Sequence, residues 1–151
     1  MRYFDDINLG DRMELGTHTF TAADIKAFAT QYDPQAFHMD EEAAARSHFG
    51  ALCASGWHTC CVMMKMVADG VLLDSASMGA PGIDEVRWLK PVRPGDSLTV
   101  RGSVLAARAS QSKPDRGFVN FLWEVFNERD QKVMTLTCPQ MLLRRNAGAL
   151  A

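Results

Sequence analysis

Residues 32–66 read YDPQAFHMDEEAAARSHFGALCASGWHTCCVMMKM, and this stretch decides both the fold and the candidate site. Asp33 and His38, two side chains that can exchange protons, lie five residues apart in a segment with the composition of a loop. Gly56 follows eighteen residues after His38, at the start of a helix that is almost wholly apolar from Trp57 to Ala68. A helix that is apolar on all sides must be buried. The pattern predicts that Asp33, His38 and Gly56 form one site, held by a sheet built from the rest of the chain.

The composition is that of an ordinary globular protein. The 151 residues are 47% hydrophobic and 23% charged, which fits one domain over residues 1–151 with its core at about 5–145. A net charge of −2 and a pI near 6.1 argue against nucleic acid or an anionic membrane as the main partner. No apolar run reaches the roughly 18 residues of a membrane span. Acids near the N-terminus, where a signal peptide would be apolar, favour a cytoplasmic location.

Local patterns predict the first half of the chain. Alternation over Arg12–Phe20 indicates a strand, and Thr21 with an acid three residues later has the form of a capping box at the start of a helix. Asp33-Pro34 ends that helix, because the residue before proline is pushed out of the α region. A second short helix is expected to begin near Asp40. Ser55 is placed to cap the long apolar helix, or to hydrogen-bond near Asp33 and His38.

The second half of the chain reads as sheet. Residues 74–82 carry small residues, glycine and proline and predict a loop. Four strands follow, the first over 84–92, and their short connectors predict an antiparallel meander with Pro139 at an edge or a bulge. The tail, 146–151, is expected to be frayed. The order predicts an α+β fold in which a long buried helix is wrapped by a five-stranded antiparallel sheet. Because a sheet covers only one face of a helix, we expect a homodimer or a higher homo-oligomer.

Asp33 and His38 could act together on one water molecule. Their ordinary pKa values of about 3.9 and 6.5 make one a proton acceptor and the other a switchable donor at neutral pH. The free amide of Gly56 at a helix start would face an oxyanion, such as a thioester oxygen gaining enolate character. The same residues are also compatible with a simple turn that carries a surface histidine.

The stretch resembles the MaoC-like dehydratase family, which includes the (R)-specific 2-enoyl-CoA hydratases and has the hot-dog fold. The family's loop is commonly Asp-Pro-Asn-Pro-hydrophobic-His followed by an acid, and here it reads DPQAFHMD over 33–40. The segment FGALCASG and the apolar helix after it continue the resemblance, as does the strand with its RPGD turn at 93–96. The similarity spans about residues 5–145.

The resemblance implies a cytoplasmic lyase of fatty acid metabolism. Asp33 and His38 would be the catalytic pair, binding the water that is added to, or lost from, an enoyl thioester in a syn reaction. The Gly56 amide would bind the thioester oxygen, with Ser55 and Trp57 beside the substrate. Coenzyme A would enter only as part of the substrate, and no other cofactor and no metal are expected. The dimer would be the basic unit.

The chain departs from the family pattern at several positions. Gln35 and Ala36 replace the usual Asn and Pro, Ser55 stands where many hydratases have histidine, and Trp57 and His58 are bulky choices after the glycine. Trp57 and His58 bear on the length of the substrate more than on the type of reaction.

Two other functions remain open on the sequence. A hot-dog acyl-CoA thioesterase usually carries a single acid on the long helix, and residues 57–68 contain neither Asp nor Glu. A non-catalytic acyl-thioester binder is the second alternative.

Other polar residues receive structural interpretations. His58 is predicted to be a hydrogen-bonded core histidine, and the four cysteines to be reduced thiols. Basic residues near a tunnel mouth would suit the phosphates of coenzyme A. The candidates are Arg87, Lys90, Arg93, Arg144 and Arg145.

Overall fold

A computed structural model describes residues 1–146, so most of the tail predicted to be frayed lies outside the described residues. After a 3₁₀ turn at Phe4–Asp6, the helices are α1 (Ala22–Tyr32), α2 (Ala36–Met39), α3 (Glu41–Arg46) and α4 (Gly56–Val67), which continues into a π-helical turn at Ala68–Leu72. The strands are β1 (Arg12–Thr19), β2 (Glu85–Trp88), β3 (Ser97–Ala109), β4 (Arg116–Phe126) and β5 (Lys132–Leu143).

The five strands form one antiparallel sheet in the order β1-β3-β4-β5-β2. The predicted five-stranded α+β architecture is therefore confirmed, but the meander of the last four strands is wrong, because β2 pairs with β5 and not with β3. Residues 89–96 cross three strand spacings, about 14 Å, which eight extended residues span with ease. The Arg93–Asp96 turn resembles a hairpin in the sequence, but it ends this crossing.

The sheet packs against α4 along one side of the helix. His58, Thr59, Met63 and Val67 are buried against the core of the sheet. On the other side, Trp57 is 55% and Met64 46% exposed, and Cys61 is also exposed. The prediction that the whole helix is buried is thus wrong for the single chain, since a sheet can cover only one face of a helix.

The segment that covers the start of α4 is built from short capped helices. The Thr21 side chain accepts a hydrogen bond from the Asp24 amide and caps α1, as the capping-box pattern predicted. α1 ends at Tyr32, directly before Asp33-Pro34. The Asp40 carboxylate accepts from the Ala43 amide and caps α3, which confirms the second short helix. The predicted loop between these helices contains one further turn of helix, α2.

Pro139 lies in an interior strand, yet at a place where that strand has no neighbour on one side. β2 pairs only with Met134–Thr137 of β5, and the loop around Ser77–Gly79 hydrogen-bonds to β5 again from Met141. Pro139 falls in the gap between the two, where a missing N–H costs no ladder hydrogen bond. The predicted edge strand or bulge is therefore wrong, although Pro139 does lack a neighbouring strand on one side.

The glycine at 102 in β3 is expected to be required for packing, because a Cβ there would lie 2.2 Å from the Trp123 ring. Gly102→Ala should lower the free energy of unfolding by about 1–3 kcal/mol through overpacking. Gly82→Ala is the control, since a Cβ at residue 82 would have no neighbouring atom within 4 Å. Urea denaturation measures both, and equal stability of the two variants would contradict the packing.

Candidate active site

The local fold brings Asp33 and His38 together. Asp33 follows the last turn of α1 and His38 lies in the single turn of α2, so their side chains face each other with 3.4 Å between Oδ2 and Nε2. The His38 side chain is only 7% exposed and that of Asp33 18%. The alternative of a surface histidine in a simple turn is therefore wrong.

A backbone carbonyl determines which nitrogen of His38 carries the proton. The Nδ1 atom lies 2.7 Å from the carbonyl oxygen of Cys53, which can only accept a hydrogen bond. Nδ1 is thus the N–H donor, and in the neutral ring the lone pair of Nε2 points toward Asp33. A carboxylate oxygen and an imidazole lone pair are two acceptors, so a water molecule on the cavity side of the pair is suited to donate one hydrogen to each.

Asp33 is held in its charged form. Burial acts to raise its pKa, but hydrogen bonds from the Ser55 hydroxyl and from Gln35, together with the nearby His38, outweigh burial and bring the pKa below the ordinary value of 3.8. The Gln35 amide donates to Asp33 Oδ1 at 2.8 Å. Ser55 also accepts from the Trp57 amide at 3.3 Å. The helix cap foreseen for Ser55 is therefore confirmed, and the lowered pKa of Asp33 favours the second role, a hydrogen bond to the loop.

Gly56 presents its amide beside this pair at the start of α4. Within residues 1–146 no acceptor hydrogen-bonds the Gly56 N–H, as expected for the first residue of a helix. The indole of Trp88 lies on the glycine, its N–H donates to the Gly56 carbonyl at 3.0 Å, and any Cβ at this position would come within 2.5 Å of the ring. The close approach explains why residue 56 has no side chain.

A cavity of about 510 Å³ joins these groups, and all five predicted site residues line it: Asp33, His38, Ser55, Gly56 and Trp57. Aromatic side chains form much of the remaining wall, with Phe37 and Phe49 on one side and Trp88 on the other. The sequence did not point to Trp88 or to the Cys53 carbonyl. The location of Trp88 at the site could not be predicted, because the predicted meander placed β2 next to β3. Alternation in β2 gave only that Val86 and Trp88 share one face of the strand.

Most of the basic residues considered for phosphate binding have other partners. The Arg93 guanidinium donates to the carbonyl oxygens of Phe49 and Ala51, both at 2.5 Å, and so ties down the segment before α4. Arg87 pairs with Glu85. Arg144 and Arg145 pair with acids of the 3₁₀ turn. Lys90 is the residue of this group that lines the cavity.

His58 lies outside the candidate site. Its ring is buried between Phe28, stacked at 4.7 Å, and Phe20 at 4.6 Å. Among the described residues its Nδ1 has no hydrogen-bond partner, so the core location is confirmed while the predicted hydrogen bond at that nitrogen is wrong. Burial lowers the pKa of His58, which favours the neutral ring.

A family model described as "MaoC like domain" matches residues 8–117. The chain belongs to the MaoC-like dehydratase family. A solved MaoC-like dehydratase from Rhodospirillum rubrum is 42% identical, with a TM-score of 0.89, covering 95% of this chain and 97% of that one. The (R)-hydratase PhaJ1 from Pseudomonas aeruginosa is 25% identical, with a TM-score of 0.73, covering 93% and 84%.

The Bacillus subtilis protein YdeM is 28% identical over 130 residues, which cover 85% of this MaoC-like chain and 90% of YdeM. The hot-dog fold that the resemblance implied is confirmed, and family membership supports a hydratase or dehydratase reaction in general. In the part of the chain that the structure describes, no helix is long and apolar enough to cross a membrane. The same residues contain no group of three or more His, Cys, Asp or Glu side chains suited to hold a metal ion.

The Ser55 hydroxyl is expected to hold down the pKa of Asp33. Ser55→Ala removes one hydrogen bond to the carboxylate, so the pKa of Asp33 should rise toward 3.8. NMR titration of the labelled carboxyl carbon measures it. Ser77→Ala, which removes a hydroxyl that does not line this cavity, should leave the titration unchanged. An identical Asp33 pKa in wild type and Ser55→Ala would contradict the proposed hydrogen bond.

Proposed function

We propose that the protein catalyses the reversible hydration of a 2-enoyl thioester, of the 2-enoyl-CoA type, to a 3-hydroxyacyl thioester. The observation that carries the proposal is the buried Asp33–His38 pair, with two acceptor atoms 3.4 Å apart beside a free helix-start amide. This arrangement suits one bound water and one developing oxyanion. The family and its (R)-hydratase neighbour favour the same chemistry.

In the proposed reaction, water lies in the cavity beside the pair and donates hydrogen bonds to the Asp33 carboxylate and to Nε2 of His38. An imidazole is ordinarily a stronger base than a carboxylate, and the lowered pKa of Asp33 makes that carboxylate weaker still as a base. His38 Nε2 therefore takes the proton as the water oxygen adds to Cβ of the substrate, and the Asp33 charge stabilises the imidazolium. The imidazolium then gives its proton to Cα on the same face, so the addition is syn.

The electron pair displaced from the double bond moves onto the thioester oxygen. The Gly56 N–H, at the positive end of the α4 dipole, is the donor we assign to that oxyanion. Because the amide belongs to the backbone of a helix packed on the sheet, it needs no reorganisation as charge develops. Dehydration follows the same steps in reverse.

We further propose that the working unit is a homodimer formed along β2. This strand has only four residues and lies at the outer edge of the sheet, where its backbone groups can pair with a second chain. The exposed side of α4 with Trp57 and Met64, and Ile83 before β2, would be covered by the same partner. The cytoplasmic location and the absence of a cofactor beyond the coenzyme A of the substrate stay predictions.

Removing either member of the pair should abolish most of the activity. Asp33→Asn and His38→Ala are each expected to lower kcat by about a hundredfold to ten-thousandfold, because neither leaves a complete proton-transfer pair. Asp24→Asn and His18→Ala are matched controls, since neither residue lines the cavity. The assay follows loss of the enoyl absorbance of crotonyl-CoA and its longer homologues. Near-native rates in both site variants, with folding verified by circular dichroism, would refute the assignment.

The same assay separates the alternatives when free thiol is followed in parallel. Loss of enoyl absorbance without thiol is the result expected for a hydratase. Release of thiol would identify a thioesterase. Binding of acyl-CoA without either signal would identify a non-catalytic binder.

A charge on the exposed side of α4 should disrupt the dimer. Met64→Glu places a carboxylate among apolar side chains at the proposed interface, where it would be desolvated without a partner. Light scattering is expected to give a dimer for wild type and a shift toward monomer for this variant. Leu105→Glu, which alters an equally exposed apolar residue on β3, should remain dimeric. A monomeric wild type would refute the interface.

A further inference from the structure

A second cavity lies farther along the same helix and the same strand as the candidate site. It has a volume of about 520 Å³ and mainly apolar walls, and its outer side, with Met64 and Ile83, is the one that the partner in the proposed dimer would cover. From α4 it takes Cys60, Met64 and Val67, and from β5 it takes Leu136 and Cys138. The first cavity takes earlier residues of both elements, Gly56 and Thr59 from α4 and Val133 from β5. The two cavities are therefore consecutive spaces between one helix and one strand.

The Trp88 side chain stands at the boundary between them. It lines the first cavity, lies flat on Gly56 and meets the edge of the Trp57 ring at 5.3 Å. Its indole N–H donates to the Gly56 carbonyl, one turn of α4 before Cys60, which lines the second cavity. On the sheet side Trp88 pairs with Met134, whose sulfur is 3.6 Å from that of Cys60. The indole, 47% exposed in the single chain, thus lies beside α4 and β5 at the level where the first cavity ends and the next begins.

We infer that Trp88 sets the length of the acyl chain that the enzyme accepts, by closing the first cavity against the second. The inference rests on the proposed function, which places the thioester carbon at the Gly56 amide and so directs the acyl tail toward the indole. Gly56 and Cys60 are separated by only about 6 Å along the helix axis. The enzyme is therefore specific for short 2-enoyl thioesters, and the second cavity is space that a long chain would occupy if the indole were absent.

The hydrogen bond to Gly56 gives Trp88 the rigidity that such a wall needs. A donor fixed to a helix-start carbonyl at 3.0 Å, with a ring edge of Trp57 against it, leaves the indole little freedom to swing aside. A phenylalanine at this position would keep the wall while losing that hydrogen bond. An alanine would join the two cavities into one apolar tunnel beginning beside Asp33 and His38.

The test compares a ladder of substrates, from crotonyl-CoA through hexenoyl-, octenoyl- and decenoyl-CoA, in wild type, Trp88→Ala and Trp88→Phe. Wild type and Trp88→Phe are expected to lose kcat/KM steeply beyond the hexenoyl substrate. In Trp88→Ala the optimum should move to the longer substrates, because each newly buried methylene strengthens binding roughly fourfold. A length profile that is unchanged in a folded Trp88→Ala variant would overturn the inference.

A filled second cavity supplies an independent check. Cys138→Phe occupies that cavity from β5, so it should remove the gain of Trp88→Ala for long chains and leave crotonyl-CoA turnover nearly as it was. In the wild-type background Cys138→Phe should change nothing for any chain length. If it weakens long-chain binding there, acyl chains already reach the second cavity and the indole is not a wall. The comparison of Cys138→Phe with wild type does not require that Trp88→Ala folds.

Binding of saturated acyl-CoAs, measured by calorimetry across the same lengths, separates the inference from the proposed reaction. Suppose that wild type turns over no enoyl thioester but Trp88→Ala extends the length of acyl chain bound. The proposed reaction is then wrong, while the role of Trp88 in limiting chain length is supported. Suppose instead that wild type hydrates crotonyl-CoA and that turnover and binding depend on chain length in the same way in all variants. The proposed reaction is then supported, while the role of Trp88 in limiting chain length is refuted.

Discussion

The candidate site depends on the segment Cys53–Ser55 and on Gly56 at the start of α4, and the segment is held from both sides. The Ala54 amide donates to the Val92 carbonyl at 2.9 Å, and the Cys53 amide donates to the Phe37 carbonyl at 3.4 Å. Within these four residues the Cys53 carbonyl orients His38, the Ser55 hydroxyl binds Asp33, and Gly56 offers a free amide. A shift of this segment would therefore displace all three groups together.

The crossing from β2 to β3 is what holds that segment in place. It supplies the Val92 carbonyl and the Arg93 guanidinium, which donates hydrogen bonds to the carbonyl oxygens of Phe49 and Ala51. Because β2 lies at the far edge of the sheet, the chain must pass the start of α4 on its way back to β3. The strand order thus serves the site directly, since a hairpin between β2 and β3 would leave the segment before α4 without these partners.

The departures from the family loop are compensated by contacts nearby. Gln35 donates to Asp33 and so contributes to holding the carboxylate charged, while Ala36 begins the turn of α2 without the fixed φ of a proline. Ser55, in the place where many hydratases have histidine, is completely buried, accepts from the Trp57 amide and contributes to the lowered pKa of Asp33. The change at Trp57 acts elsewhere, because this ring packs against Trp88 and shapes the space beside Gly56.

The sequence by itself determined most helices and strands, and the part of the site formed by residues close together in the chain. Period and capping chemistry act within a few residues, so the first strand, the Thr21 cap, the Pro34 stop, the Ser55 cap and the proximity of Asp33 to His38 could all be predicted. Only the tertiary structure decided which strand borders which, because the same alternating pattern in β2 fits beside β3 or beside β5. The tertiary structure brings Trp88 to Gly56, the Cys53 carbonyl to His38 and Arg93 to the carbonyls before α4, contacts between residues 15 to 44 positions apart. It also leaves one face of α4 uncovered, since one sheet can bury only one side of a helix.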